Sequence, residues 1–232
     1  FDNEYTYSFH NLFIDILAEL IANGVMHSGS EVFALMFVDR FKTKFSISDN
    51  GIGFKESLSK KETTDFYQYG KLTNNINIHN TIQQIPNKIK IDLYSIFEAL
   101  YYSMLKNRNG LFDLMCNVVL KCNGYFRLHT ENVQVIISNR MELELTQLYN
   151  IRNEILILHR NFEHNKLNII NYTKLRAEYS NTAMDVFAKF YADLLRKFNN
   201  DVIYSSIRIN RVVFRGVHIE VEIPNIESHD SF

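Results

Sequence analysis

The chain has 232 residues, 46% hydrophobic and 13% aromatic, which is enough apolar surface for one generous domain or two small ones. Its 25 basic and 26 acidic side chains nearly cancel, so charge gives no argument for nucleic acid or an anionic membrane as partner. No apolar run is long enough to span a bilayer, no signal-peptide pattern opens the chain, and Cys116 and Cys122 form no metal-like pair; a reduced, cytoplasmic setting is the expectation.

Residues 5–28 read as a helix, because Phe9, Leu12, Phe13, Ile16, Leu17, Leu20, Ile21 and Val25 recur at the spacing of one buried face, and Ser28-Gly29-Ser30 ends the pattern. Two strands follow, "EVFALMFVD" at 31–39 and "TKFSISD" at 43–49. The "DRFK" between them fits a hairpin turn, which makes them antiparallel neighbours. Residues 55–91 are polar and weakly periodic, a long loop of the kind that is functional or mobile. Helical spacing returns at 92–107 and again from Leu111 to Cys122, with Asn107-Arg108-Asn109-Gly110 as the break and Asn123-Gly124 as the close. "YFRLHT" and "NVQVIIS", at 125–130 and 132–138, look like a hairpin. "RMELELTQLYNIRNEILI" is helical in pattern, although "EILIL" also suits a strand. Residues 181–198 carry a firm helical stripe, and strands reappear at 202–209 and 212–223.

Three short stretches carry chemistry. On the first helix Glu19 and Asn23 are four apart and share a face, with Asp15 and His27 in the same row; alone, such a row is an ordinary solvated face. "ISDNGIGF" at 47–54 ends a strand in Asp49, a carboxylate able to accept a bond from an exocyclic amine. Gly51 and Gly53 let backbone approach a flat ring, and the plain alternative is an Asp-Asn-Gly turn. In "NRNGLFDL" at 107–114, Asn109-Gly110 opens a helix whose N–H groups suit a phosphate, with Lys106 and Arg108 adding positive charge. The plain alternative is a helix–helix turn.

Taken together in this order, the three stretches resemble the ATP-binding domain of the GHKL superfamily, which includes DNA gyrase B, the ninety-kilodalton heat-shock chaperone, histidine kinases and MutL. "ELIANGVMHS" is similar to its N box, "DNGIGF" to its G1 box, "NGLFDL" to a reduced G2 box, and "RGVHIEVEIP" at 215–224 to its closing strand. The resemblance covers about residues 5–138 and 202–224. It implies an α+β fold: a two-layer sandwich of the Bergerat type, with a mixed, mostly antiparallel sheet covered on one face by helices. The ATP-binding domain would comprise 1–138 plus 202–232, with a lid at about 55–109. Residues 139–201 would be a mostly helical insertion before the last strand, serving as a docking surface or a dimer contact.

The resemblance also implies roles. Asp49 would accept from the adenine amino group, with Gly51, Gly53 and Phe54 shaping the pocket. Asn23 would coordinate Mg²⁺, and Asn109, Gly110 and Leu111 would lie against the phosphates of ATP. Glu19, one turn before Asn23, would be the general base toward water. Two departures bear on this: the G2 stretch has a single glycine, and Val217 stands where the family has a threonine. No phosphoacceptor helix pair precedes the N box, so autophosphorylation on histidine is not expected. Three functions follow: a slow ATPase acting as a switch, a kinase of histidine-kinase or anti-sigma type acting on a protein partner, and a degenerate interaction module. A protein partner or homodimer is expected, with no nucleic acid and no membrane.

Overall fold

The computed structural model describes residues 11, 14–22, 25, 29–64, 66–79, 86–199 and 205–225. Among these the architecture is α+β: four antiparallel strands in the order β1-β2-β4-β3, with helices over one face of the sheet. The sheet is wholly antiparallel rather than mixed.

The first helix, α1, is described over 14–22. It buries Ile16 and Leu20, while Ile21 and Val25 are exposed, so its buried face is narrower than the sequence stripe suggested. β1 (Val32–Val38) and β2 (Lys42–Asp49) form the expected hairpin. Asp39 organises the turn: its Oδ1 accepts from the N–H groups of Phe41 and Lys42 at 2.7 and 2.8 Å. β2 alternates cleanly, sending Phe45, Ile47 and Asp49 toward the helices and Lys44, Ser46 and Ser48 outward. β1 is an edge strand with Phe33, Leu35 and Phe37 exposed on one side and Met36 and Val38 on the other.

β3 (Tyr125–Ser138) is a single strand where the sequence suggested a hairpin. Thr130-Glu131-Asn132 has turn-like composition, but it is absorbed as an irregularity in the pairing with β4 (Ile207–Pro224), with Glu131 at φ +52°. β4 is likewise one strand over positions read as two. Where β2, β4 and β3 pair, the outer face is polar, with Lys44–Glu222 at 2.8 Å and an Arg127–Glu220 pair across β3 and β4, while Phe33, Leu35 and Phe37 of β1 stand exposed on the same side.

The polar stretch 55–91 is not a loop. It contains α2 (Gly53–Ser59) and α3 (Lys71–His79). α3 is held by two buried apolar residues one turn apart, Leu72 and Ile76, and by Glu98, whose Oε1 accepts from the N–H and the hydroxyl of Thr73, both at 2.9 Å. The expected lid at 55–109 is corrected too. Its second half is α4 (Asn87–Leu105), a central helix that buries Leu93, Ile96, Phe97, Leu100 and Met104 in the core. α5 (Leu111–Cys116) runs into a π-helical turn, Asn117–Lys121. After a 3₁₀ turn, Asn139–Met141, come two long helices, α6 (Glu142–Glu163) and α7 (Ile169–Arg196); "EILIL" is helical. Asn168 caps α7, accepting from the Asn171 N–H at 2.8 Å. The 139–201 segment packs into the shared core: Phe187 meets Phe97 and Phe112 edge-on, with ring centroids 6.5 and 6.0 Å apart. Among the described residues no helix is long and apolar enough to cross a membrane.

Candidate functional site

Asp49 is the last residue of β2 and points inward, nearly buried. Its Oδ1 accepts from the backbone N–H of Gly51 at 2.9 Å and of Val217 at 3.3 Å; among the described residues none donates to Oδ2. Burial pushes the carboxyl above the usual carboxylate range, and the two N–H groups pull the other way. Gly216 makes this packing possible. It sits at φ +92°, and a Cβ there would lie 2.8 Å from Asp49 Oδ1 and overlap the Asp49 backbone. The Thr130 hydroxyl donates to the Gly216 carbonyl at 2.8 Å and fixes the same crossing from β3.

A cleft of about 750 Å³, part of it open to solvent, starts at Asp49 and runs between the sheet and the helices. Ile47, Val217 and Ile219 form its sheet wall, and Phe54 and Leu58 of α2 with Ala99 of α4 form the opposite wall. Those walls are apolar and suit a flat ring. The other end is different: Lys61, Tyr102, Ser103, Lys106 and Leu111 line it. The Lys106 ammonium lies 4.9 Å and the Lys61 ammonium 6.0 Å from the centroid of the Tyr102 ring. Burial, and then the neighbouring charges of Arg108 and Lys61, pull Lys106 below the usual lysine value, with Glu19 opposing. Lysines gathered this way favour an anion between them.

The structure brings several of the expected residues together. Asp49, Gly53, Phe54 and Leu111 all line the cleft, and Gly51 donates to Asp49. Glu19 reaches the same region from α1: its Oε1 is 3.9 Å from where a Gly110 Cβ would stand. Asn109 is exposed and does not line the cleft. Asn23 and His27 lie outside the described residues.

The start of α5 needs correction as a phosphate cradle. The Gly110 N–H donates to Asp113 Oδ2 at 3.1 Å, and the Phe112 N–H to Ser103 Oγ at 3.0 Å, so two of its donors are already used. The positive end of the cleft comes from lysine side chains instead. Lys61 and Tyr102 escaped the sequence reading, because nothing local marks a lysine after α2 and a tyrosine on α4 as neighbours. Among the described residues no three His, Cys, Asp or Glu side chains gather in a metal-binding cluster.

Comparison with protein-family models, with curated proteins and with solved structures gives no match.

Proposed function

We propose that the cleft binds ATP in the manner of a GHKL-type domain and that the chain is a slow ATPase working as a conformational switch. One observation carries this reading: a single cleft has a buried carboxylate acceptor at one end and paired ammonium groups at the other. An adenine ring fits between Val217, Ile219 and Phe54, its amino group donating to Asp49 Oδ2. The triphosphate then extends toward Lys61 and Lys106.

Glu19 stands beside Gly110 at that far end and is the candidate base. In hydrolysis it would take a proton from the attacking water as the new O–P bond forms and the bond to the bridging oxygen breaks, leaving ADP and phosphate. Mg²⁺, held by phosphate oxygens and by Asn23, would offset the phosphate charge. Two features depart from the family: β4 grips Asp49 through the Val217 backbone in place of a threonine hydroxyl, and lysines replace a glycine-rich phosphate loop.

Calorimetric titration of ATP and GTP into the wild type and Asp49→Asn tests the reading. The asparagine keeps an acceptor for the Gly51 and Val217 N–H groups but turns a donor toward the cleft. The wild type is expected to prefer ATP by about tenfold or more, since a guanine carbonyl would oppose Asp49 without a bond. The variant should lose that preference. Equal affinity for both nucleotides in the wild type would defeat the assignment.

A further inference from the structure

We infer that Arg152 of α6 and Arg176 of α7 are positioning residues for the phosphate end of the cleft, so that the α6–α7 pair sets the grip on the triphosphate while leaving the purine end untouched. The inference rests on the nucleotide reading above.

Both arginines are fully buried. Arg152 donates from Nε and Nη2 to the two Asp113 carboxylate oxygens, each at 2.9 Å. Its Nη1 also donates to the carbonyls of Met104, at 2.9 Å, and Lys106, and its Nη2 to that of Arg108 at 2.9 Å. Arg176 Nη2 donates to the Leu105 carbonyl and, at 3.2 Å, to Asn107 Oδ1. Four backbone carbonyls between 104 and 108 therefore end on two side chains from elsewhere in the chain.

Met104 and Leu105 are among the carbonyls that a helix leaves without intrahelical partners at its C-terminus, here that of α4, and Lys106 and Arg108 belong to the turn that follows it. A buried turn must find donors for them. The planar guanidinium serves several at once, which an ammonium cannot do in the same geometry. The bracing continues to Gly110, because the Asp113 carboxylate that pairs with Arg152 also accepts from the Gly110 N–H. Arg152 thus fixes the backbone of Lys106 on one side of the turn and Gly110, beside Glu19, on the other.

α7 also holds the segment beyond Lys61. The Arg176 guanidinium lies 4.6 Å from the Phe66 ring centroid, and the Ser180 hydroxyl donates to the Phe66 carbonyl at 2.7 Å. Neither arginine lines the cleft. Whatever they contribute to binding passes through the turn, and Asp49, Val217 and Ile219 stand apart from it.

The test uses Arg152→Lys and Arg176→Lys in the full chain. Calorimetry compares adenosine with ATP, and amide hydrogen exchange over 104–110 is followed without any ligand. The expected result is faster exchange in that turn and a loss of about tenfold in ATP affinity, the worth of one displaced charged contact, with adenosine affinity unchanged. Retained adenosine binding shows that the fold and purine end are intact. Arg176→Lys leaves the Arg152–Asp113 pair in place, so it carries the test if Arg152→Lys does not fold. An unchanged ratio of ATP to adenosine affinity overturns the inference, as does an equal loss of both. Failure of the wild type to bind either ligand overturns the nucleotide reading, and the inference falls with it.

Discussion

Gly216 passes so close to Asp49 that the Asp49 backbone carbonyl, and next to it the carboxylate, occupies the space any side chain at 216 would need. The contact joins β4 to the end of β2 and lets the Val217 N–H reach Asp49 Oδ1. Gly216→Ala must both hold a left-handed backbone and displace the Asp49 backbone carbonyl together with its carboxylate. The expected cost is about 3 kcal/mol or more, with loss of nucleotide binding. Urea denaturation and an ATP titration check it; wild-type stability in the variant would show that the crossing relaxes easily.

Glu19→Gln separates binding from chemistry. The amide keeps the shape but cannot take a proton from water, so phosphate release should fall by at least about a hundredfold while ATP affinity changes little. A wild-type rate of release in Glu19→Gln would exclude Glu19 as the base.

The polar face of the sheet makes stability depend on pH. His218, with Ser48 Oγ 2.6 Å from its Nδ1, is paired across β3 and β4 with His129, and burial pulls both imidazoles below the ordinary histidine value of 6.5. The unfolded chain takes up these protons near neutrality and the folded chain only at lower pH. Stability therefore falls as pH drops through about 6.5 and levels off once the folded histidines are charged. Asp49 and Glu98, raised by burial, act in the opposite direction in more acid solution. A His129→Gln/His218→Gln double variant isolates the histidines. Its urea midpoint should stay flatter than that of the wild type between about pH 8 and about pH 6. Parallel curves would remove them as the cause.

Among the described residues β1 is an edge strand, its free side running under Phe33, Leu35 and Phe37, with no charge between Val32 and Val38. Such an edge favours strand addition. Leu35→Lys places a charge in the middle of it and should lower self-association in concentrated solution without changing the melting temperature by more than about 2 °C. Light scattering over a concentration series checks this, and unchanged scattering would show that the edge is not the sticky surface.

The parts of the fold legible in sequence were those whose burial follows one period. β2 alternates, α4 and α7 carry long apolar stripes, and the Asp39 turn sits between two apolar runs. α3 was hidden because, among its described side chains, just Leu72 and Ile76 are apolar and buried in the core. Thr130-Glu131-Asn132 misled because a bulge and a turn ask for the same residue types, and only the pairing with β4 tells them apart. At the site, Asp49, Gly53 and Leu111 could be picked out as local motifs. Lys61, Lys106 and Tyr102 meet only through the packing of α2 against α4. Arg152 and Arg176 look like surface charges on amphipathic helices; their burial follows from the turn they brace, which no helical period records.

The cleft is a seam between the two layers of the fold, one lip made by strands and the other by helices. An occupant would touch both and so complete an interior that the polypeptide leaves unfilled. Thermal resistance should then climb with the logarithm of free nucleotide concentration, since every unfolding event must first empty the seam. The sheet and its helical cover would separate less often, and a chemical event at one end of the molecule would be felt as a change in how firmly its halves hold together.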